Sequence, residues 1–170
     1  MASILVVEDP ILDSTVTRFL EGAGHVITLA GSVAEARKGL DERPFQLMLS
    51  VVESRGRSLE GFLEDAATQR PTMAIVLVCS ETNAHAGEDL RRRGHVAEVL
   101  RQPVTLVQVR DAAQRALEGR DLLTPIASLR RGMRRLQATE LSDGSREILK
   151  GMARQLETLA SRARSVTGGR

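Results

Sequence analysis

Short apolar runs alternate with segments of helical period along the first 119 residues. The runs occupy residues 4–7, 26–30, 47–52, 74–79 and 96–100. Three of the five are nearly continuous and rich in Val and Ile, which marks strands buried on both faces of a helix-covered parallel sheet. Between them, Ile11, Val16, Phe19 and Leu20 form one stripe that closes at Gly22 and Gly24. Ser32-Val-Ala-Glu35 is a capping box and opens a helix whose inner face carries Ala34, Ala36 and Leu40. Leu59, Phe62, Leu63 and Ala66 follow the third run, and Leu90 follows the fourth. Leu106, Val109, Ala112, Ala113 and Leu117 follow the fifth. A strand–helix unit repeated five times predicts an α/β domain over residues 1–119, a (βα)5 doubly wound parallel five-stranded sheet with right-handed crossovers.

Gly119 is the expected end of the fifth helix, and no strand pattern follows it. Leu122, Ile126, Leu129, Met133 and Leu136 are spaced 4, 3, 4, 3. After the turn chemistry of Glu140-Leu-Ser-Asp-Gly144, the residues Leu149, Met152, Leu156, Leu159, Ala163 and Val166 are spaced 3, 4, 3, 4, 3. Residues 120–170 are therefore expected to form a C-terminal two-helix, coiled-coil-like hairpin. Two helices cannot enclose a core, so their seams require either the α/β domain or a second chain. Pairing of two hairpins into four helices satisfies both, which makes Leu122 to Leu136 and Leu149 to Leu159 the expected homodimer interface.

Composition narrows the possibilities. The longest uninterrupted apolar run is residues 73–79, far short of the roughly 20 residues of a membrane span. The N-terminus has neither a basic start nor a long apolar stretch, so no signal peptide is expected and the expected location is cytoplasmic, with no membrane partner. A single cysteine, Cys79, excludes an internal disulfide framework, and His25, His85 and His95 show no metal spacing. Three Phe with no Tyr or Trp argue against an aromatic platform for single-stranded nucleic acid. Charge is asymmetric: residues 1–119 carry 13 Lys/Arg against 17 Asp/Glu, a balance of −4, and residues 120–170 carry 11 against 5, a balance of +6. That basic tail is either the solvated face of a helix pair or a nucleic-acid contact.

Ile4-Leu-Val-Val-Glu-Asp-Pro10 resembles the opening of bacterial response-regulator receiver domains. The similarity continues through Arg43-Pro-Phe-Gln-Leu-Met-Leu49, Arg70-Pro71 and Gln102-Pro103, and covers roughly residues 3–118. It implies a flavodoxin-like receiver fold. It also implies a phosphoryl-transfer site built from a magnesium-binding acidic pair, an acceptor Asp, a Thr or Ser, and a Lys. Glu8 and Asp9 match the acidic pair. The acceptor Asp aligns with Val51, the Thr/Ser position with Cys79, the Lys with Gln102 and the switch aromatic with Val99. Phosphoryl transfer works by positioning and charge neutralisation, so the replacements at Val51, Cys79 and Gln102 each remove a group that the chemistry uses, and Val99 removes the switch aromatic. The expectation is a pseudo-receiver with no firm metal site. Glu8 and Asp9 are then either a solvated acidic strand end or a residual, weak magnesium site.

Arg120-Asp-Leu-Leu-Thr-Pro-Ile-Ala-Ser-Leu129 is similar to the first helix of the dimerisation and phosphotransfer domain of sensor histidine kinases. Asp121, Leu122, Thr124 and Pro125 match that family's pattern, while its phosphorylated His aligns with Arg120. The surviving property is the dimer seam. These resemblances imply a non-enzymatic two-component adaptor that needs no cofactor and binds a histidine kinase or response regulator. Two alternatives remain at the level of sequence. One is nucleic-acid binding through Arg130, Arg131, Arg134 and Arg135. The other is phosphorelay through a non-standard acceptor, for which Glu53 is the candidate.

Overall fold

The continuous apolar runs become the middle of one parallel sheet. The computed structural model describes residues 1–7, 14–137, 148 and 150–159. In chain order its elements are β1 (Ser3–Val7), α1 (Ser14–Gly22), β2 (Val26–Ala30), α2 (Val33–Glu42) and β3 (Leu47–Val51). There follow β4 (Glu53–Ser54), β5 (Arg57–Ser58), α3 (Glu60–Gln69), β6 (Ala74–Cys79), α4 (Ala84–Arg92), β7 (Glu98–Arg101) and α5 (Leu106–Gln137). The five expected strands are β1, β2, β3, β6 and β7. They form one sheet in the order β2-β1-β3-β6-β7, and every pairing in it is parallel.

Burial explains why these runs are strands. Ile4, Leu5, Leu47, Met48, Leu49, Ile75 and Leu77 on the three central strands are essentially inaccessible to solvent. Each such side chain contributes about 1.5–3 kcal/mol of burial. The edge strands are only partly covered: Val26 and Leu29 of β2 are about half exposed. Helices α1 and α5 touch each other, as do α3 and α4, while Arg37 of α2 ion-pairs with Asp65 of α3 at 2.9 Å. Thus α1 and α5 cover one face of the sheet, and α2, α3 and α4 the other. The capping box forms as read. Ser32 Oγ accepts from the Glu35 amide at 3.2 Å, and the Glu35 carboxylate accepts from the Gly31 amide at 2.8 Å.

Two features differ from expectation. First, α5 does not stop at Gly119 but runs on to Gln137. A helical Gly costs only about 1 kcal/mol relative to Ala, and Leu117, Glu118, Arg120 and Leu122 around it are strong helix formers. The first expected hairpin helix is thus the distal half of the fifth helix, with Thr124 and Pro125 inside it. Pro125 has no N–H to donate to the Asp121 carbonyl, and the helix continues past that missing bond. The turn expected at 140–144 lies outside the described residues, whereas residues 150–159 are helical. Second, the chain after β3, which carries none of the five expected runs, forms a short antiparallel hairpin, β4–β5. Its tip needs positive φ at Arg55 (50°) and Gly56 (72°), and Gly56 supplies the second without strain.

The N-terminus is tied down by a titratable group. The Ala2 amide donates to His25 Nδ1 at 3.3 Å. Burial, and secondarily the positive N-terminus, hold the His25 imidazole below its ordinary pKa. The fold therefore favours the neutral ring. The associated stability is full above the ordinary imidazole value and is lost as pH falls through the lowered folded value. The melting temperature is expected to be level near pH 7–8 and to decline below about pH 6.5, with part of that decline removed by His25→Gln. Identical pH profiles for wild type and His25→Gln would contradict this assignment.

Candidate functional site

In a doubly wound parallel sheet, the strand ends on either side of the topological switch point frame a crevice at the carboxyl edge. Here that point lies between β1 and β3, from which the strand order departs in opposite directions. Of the residues aligned with switch positions, Val51, Cys79 and Gln102 sit on this edge. Glu8 and Asp9 follow β1 directly but lie outside the described residues. Val51 ends β3, Cys79 ends β6, Val99 lies within β7, and Gln102 follows β7.

At Val51, Cys79 and Val99 the chemistry is apolar. Val51 is 3% exposed and Cys79 1%. Ser50, beside Val51, is fully buried, and its hydroxyl donates to the Val51 carbonyl at 3.2 Å. Register places Val51 opposite Val78, and Cys79 opposite Arg101. The Gln102 amide donates to the Cys79 carbonyl at 2.8 Å, which joins the end of β7 to the end of β6; Pro103 follows across a cis peptide bond. Burial pushes the Cys79 thiol up to about 11, with the Glu88 charge adding to the rise and Arg101 opposing it. A thiol so held is neutral at physiological pH and packs as a small hydrophobe.

Gly87 of α4 lies against two of these positions, Cys79 and Val99. A Cβ at Gly87 would lie 2.6 Å from Cys79 Sγ, 3.3 Å from Val99 Cγ1 and 3.6 Å from Val52 Cγ2. The helix therefore sits directly on Cys79 and Val99, the side chains that the sequence resemblance aligns with the Thr/Ser position and the switch aromatic. The sequence carried a signal for this contact, an isolated Gly inside a helical segment, which often marks a close approach.

The other candidates are dispersed. Glu53 is exposed on β4, opposite Ser58 and outside the apolar cluster. The basic run Arg91-Arg-Arg93 at the end of α4, a docking surface or a solvated helix end on the sequence alone, is engaged by acids of this chain. Arg91 pairs with Glu88 at 2.8 Å, Arg92 with Asp89 at 3.4 Å, and Arg93 with Glu64 at 2.5 Å. Arg120 does not approach the carboxyl edge. Its side chain is 19% exposed, lies 2.9 Å from Asp121, and borders a cavity beside the starts of β6 and β7. Among the described residues no group of three His, Cys, Asp or Glu side chains converges in a way that would hold a metal ion.

Of the expected dimer seam, Leu122, Ile126, Leu129, Met133 and Leu136 lie on the distal half of α5. Met152, Leu156 and Leu159 lie on the helical segment 150–159, whereas Leu149 falls outside the described residues. Met152 and Leu159 are 49% and 52% exposed. No helix among the described residues is long and apolar enough to cross a membrane.

No family model and no curated protein matches the chain. Solved structures do match it. A response-regulator receiver domain protein from Clostridium thermocellum superposes with a TM-score of 0.65 at 21% identity, covering 73% of this chain and 100% of that one. NtrX from Brucella abortus, crystallised with ADP, superposes with a TM-score of 0.68 at 23% identity. That match covers 75% of this chain but only 30% of NtrX. An adenylate cyclase from Rhodopirellula baltica gives a TM-score of 0.70 at 20% identity, over 76% of this chain and 97% of that one. Neighbours of such different description share an architecture and not a single activity. The fold is the flavodoxin-like fold of response-regulator receiver domains.

Proposed function

We propose that this chain is a non-catalytic signalling adaptor of two-component type, a pseudo-receiver that acts by protein–protein contact. One observation carries this reading: Cys79 and Val99 pack with Val52 under Gly87 of α4, and Val51 is buried at the end of β3, where the fold's phosphoryl chemistry would require charged or hydroxyl groups. Valine cannot accept a phosphoryl group. Gln102 brings no positive charge to balance the acids after β1. Any magnesium held by Glu8 and Asp9 would keep too few protein oxygens for firm binding.

Such a scaffold retains the surface of a receiver without its turnover. It competes for, or bridges, a histidine kinase or response regulator in the cytoplasm. The apolar positions on distal α5 and on residues 150–159 supply a homodimer seam, and the half-exposed Met152 and Leu159 support that reading. The full chain is expected to sediment as a dimer at micromolar concentration. The double variant Met152→Asp/Leu156→Asp should shift it to monomer while leaving the α/β far-ultraviolet signature intact. A wild-type chain that is monomeric throughout would remove dimerisation from the proposal.

A second reading rests on the +6 balance of residues 120–170. Nucleic-acid binding through Arg130, Arg131, Arg134 and Arg135 would produce retention on duplex RNA or DNA that falls steeply with salt. Dimerisation without such retention favours the adaptor.

A further inference from the structure

The chain after β3 projects a short, braced finger. β4 and β5 pair antiparallel, with Glu53 opposite Ser58 and Ser54 opposite Arg57, so Arg55 and Gly56 form a two-residue turn. The base of the finger is fixed in the core. The Leu59 amide donates to the Val52 carbonyl at 2.7 Å, and both side chains are buried. Ser58 Oγ donates to the Glu60 carboxylate and accepts from the Glu60 amide, each at 3.2 Å, which joins the hairpin to the start of α3.

Two observations single out the tip. A two-residue turn with positive φ at both central positions favours Asn-Gly, yet Arg55 occupies the first of them at φ 50°. Among the described residues, neither the Arg55 nor the Arg57 side chain makes a hydrogen bond, an ion pair or a ring contact, and both are exposed. A side chain kept where its backbone is disfavoured, with no contact to the chain in return, points to a role outside the fold. Arginines on the helical face that follows act instead as clasps: Arg37 to Asp65, Arg70 to Asp41, and Arg93 to Glu64. The tip thus offers two guanidiniums on an α/β body whose charge balance is −4.

We propose that the Arg55-Gly56-Arg57 tip docks an acidic segment of a protein partner, each guanidinium taking a carboxylate. Arginine recognises a carboxylate bidentately, and a braced turn presents its planar fork at little cost in ordering the backbone. The charge around the tip selects a discrete pair of acids over a nucleic-acid backbone. Glu53 and Glu60 flank the hairpin, and the acidic body repels an extended polyanion. This inference rests on the adaptor reading and deepens it by naming a contact surface. It can fail while that reading stands, because phosphate uptake tests the inert switch without involving Arg55 or Arg57.

The test titrates the isotope-labelled full chain with a tetraglutamate peptide and, in parallel, with a short DNA duplex. The peptide is expected to shift the amide signals of Ser54, Gly56 and Ser58 saturably, and the duplex to leave them in place. Arg55→Asn and Arg57→Gln should each weaken peptide binding about fivefold, the upper range for one exposed ion pair. Because Asn suits the turn better, Arg55→Asn should melt at or above the wild-type temperature while losing affinity, a split that a structural role for Arg55 would not produce. Peptide shifts absent from residues 53–58, equal or larger hairpin shifts with the duplex, unchanged peptide affinity in both variants, or a lowered melting temperature in Arg55→Asn would each overturn the proposal.

Discussion

Val51→Asp is expected to destabilise the chain by about 2–4 kcal/mol at neutral pH, as measured by urea denaturation, rather than to restore a phosphorylatable switch. Val51 is 3% exposed, and its register partner is Val78. Its neighbour Ser50 already commits its hydroxyl to the Val51 carbonyl. A carboxylate placed there loses hydration without gaining the cation that would compensate it, because Gln102 stands where the fold's lysine would be. Burial raises such a carboxyl's pKa, so the penalty is largest at high pH and shrinks as pH falls through the raised folded value. Wild-type stability together with phosphate uptake in Val51→Asp would show that the site still supports the chemistry.

Gly87→Ala is expected to cost up to about 2 kcal/mol net. Helix propensity favours Ala by about 1 kcal/mol, but forcing a methyl group into a packed contact costs about 1–3 kcal/mol. The methyl would meet Cys79 Sγ at 2.6 Å, and a cysteine side chain has one torsion with which to escape. The sign should reverse in a Cys79→Ala background, where the sulfur is gone and the propensity gain remains. That reversal corresponds to a coupling of about 2 kcal/mol between residues in contact. Additive effects of the two substitutions would mean that α4 does not rest on Cys79 at Gly87.

The central strands were legible in the sequence because burial on both faces leaves a continuous apolar signature. Residues 47–52 and 74–79 show it, and β3 and β6 fall there. The edge strands were fainter for the same physical reason: β2 carries Thr28 and β7 carries Glu98, since one side of each meets solvent. Glu98 in turn serves Arg115, a contact that strand periodicity does not encode. The end of the fifth helix was misplaced at Gly119 because a single glycine is a weak terminator when its neighbours favour helix. That Cys79 and Val99 align with switch positions of the resembled family could be read from the sequence, but their meeting under Gly87 could not. That contact depends on α4 crossing β6 and β7 at Gly87, a tertiary fact. The cavity beside the starts of β6 and β7 was invisible for a similar reason, since Arg91 of α4 and Arg115 and Arg120 of α5 line it together and share no motif.

The most direct test of an inert switch is the intact mass of the wild-type chain after incubation with acetyl phosphate and magnesium, with a phosphorylatable receiver treated in parallel. The expected result is an unchanged mass for this chain and a gain of one phosphate for the control. A stoichiometric gain of one phosphate by this chain, located by fragmentation to Glu8, Asp9 or Glu53, would contradict it.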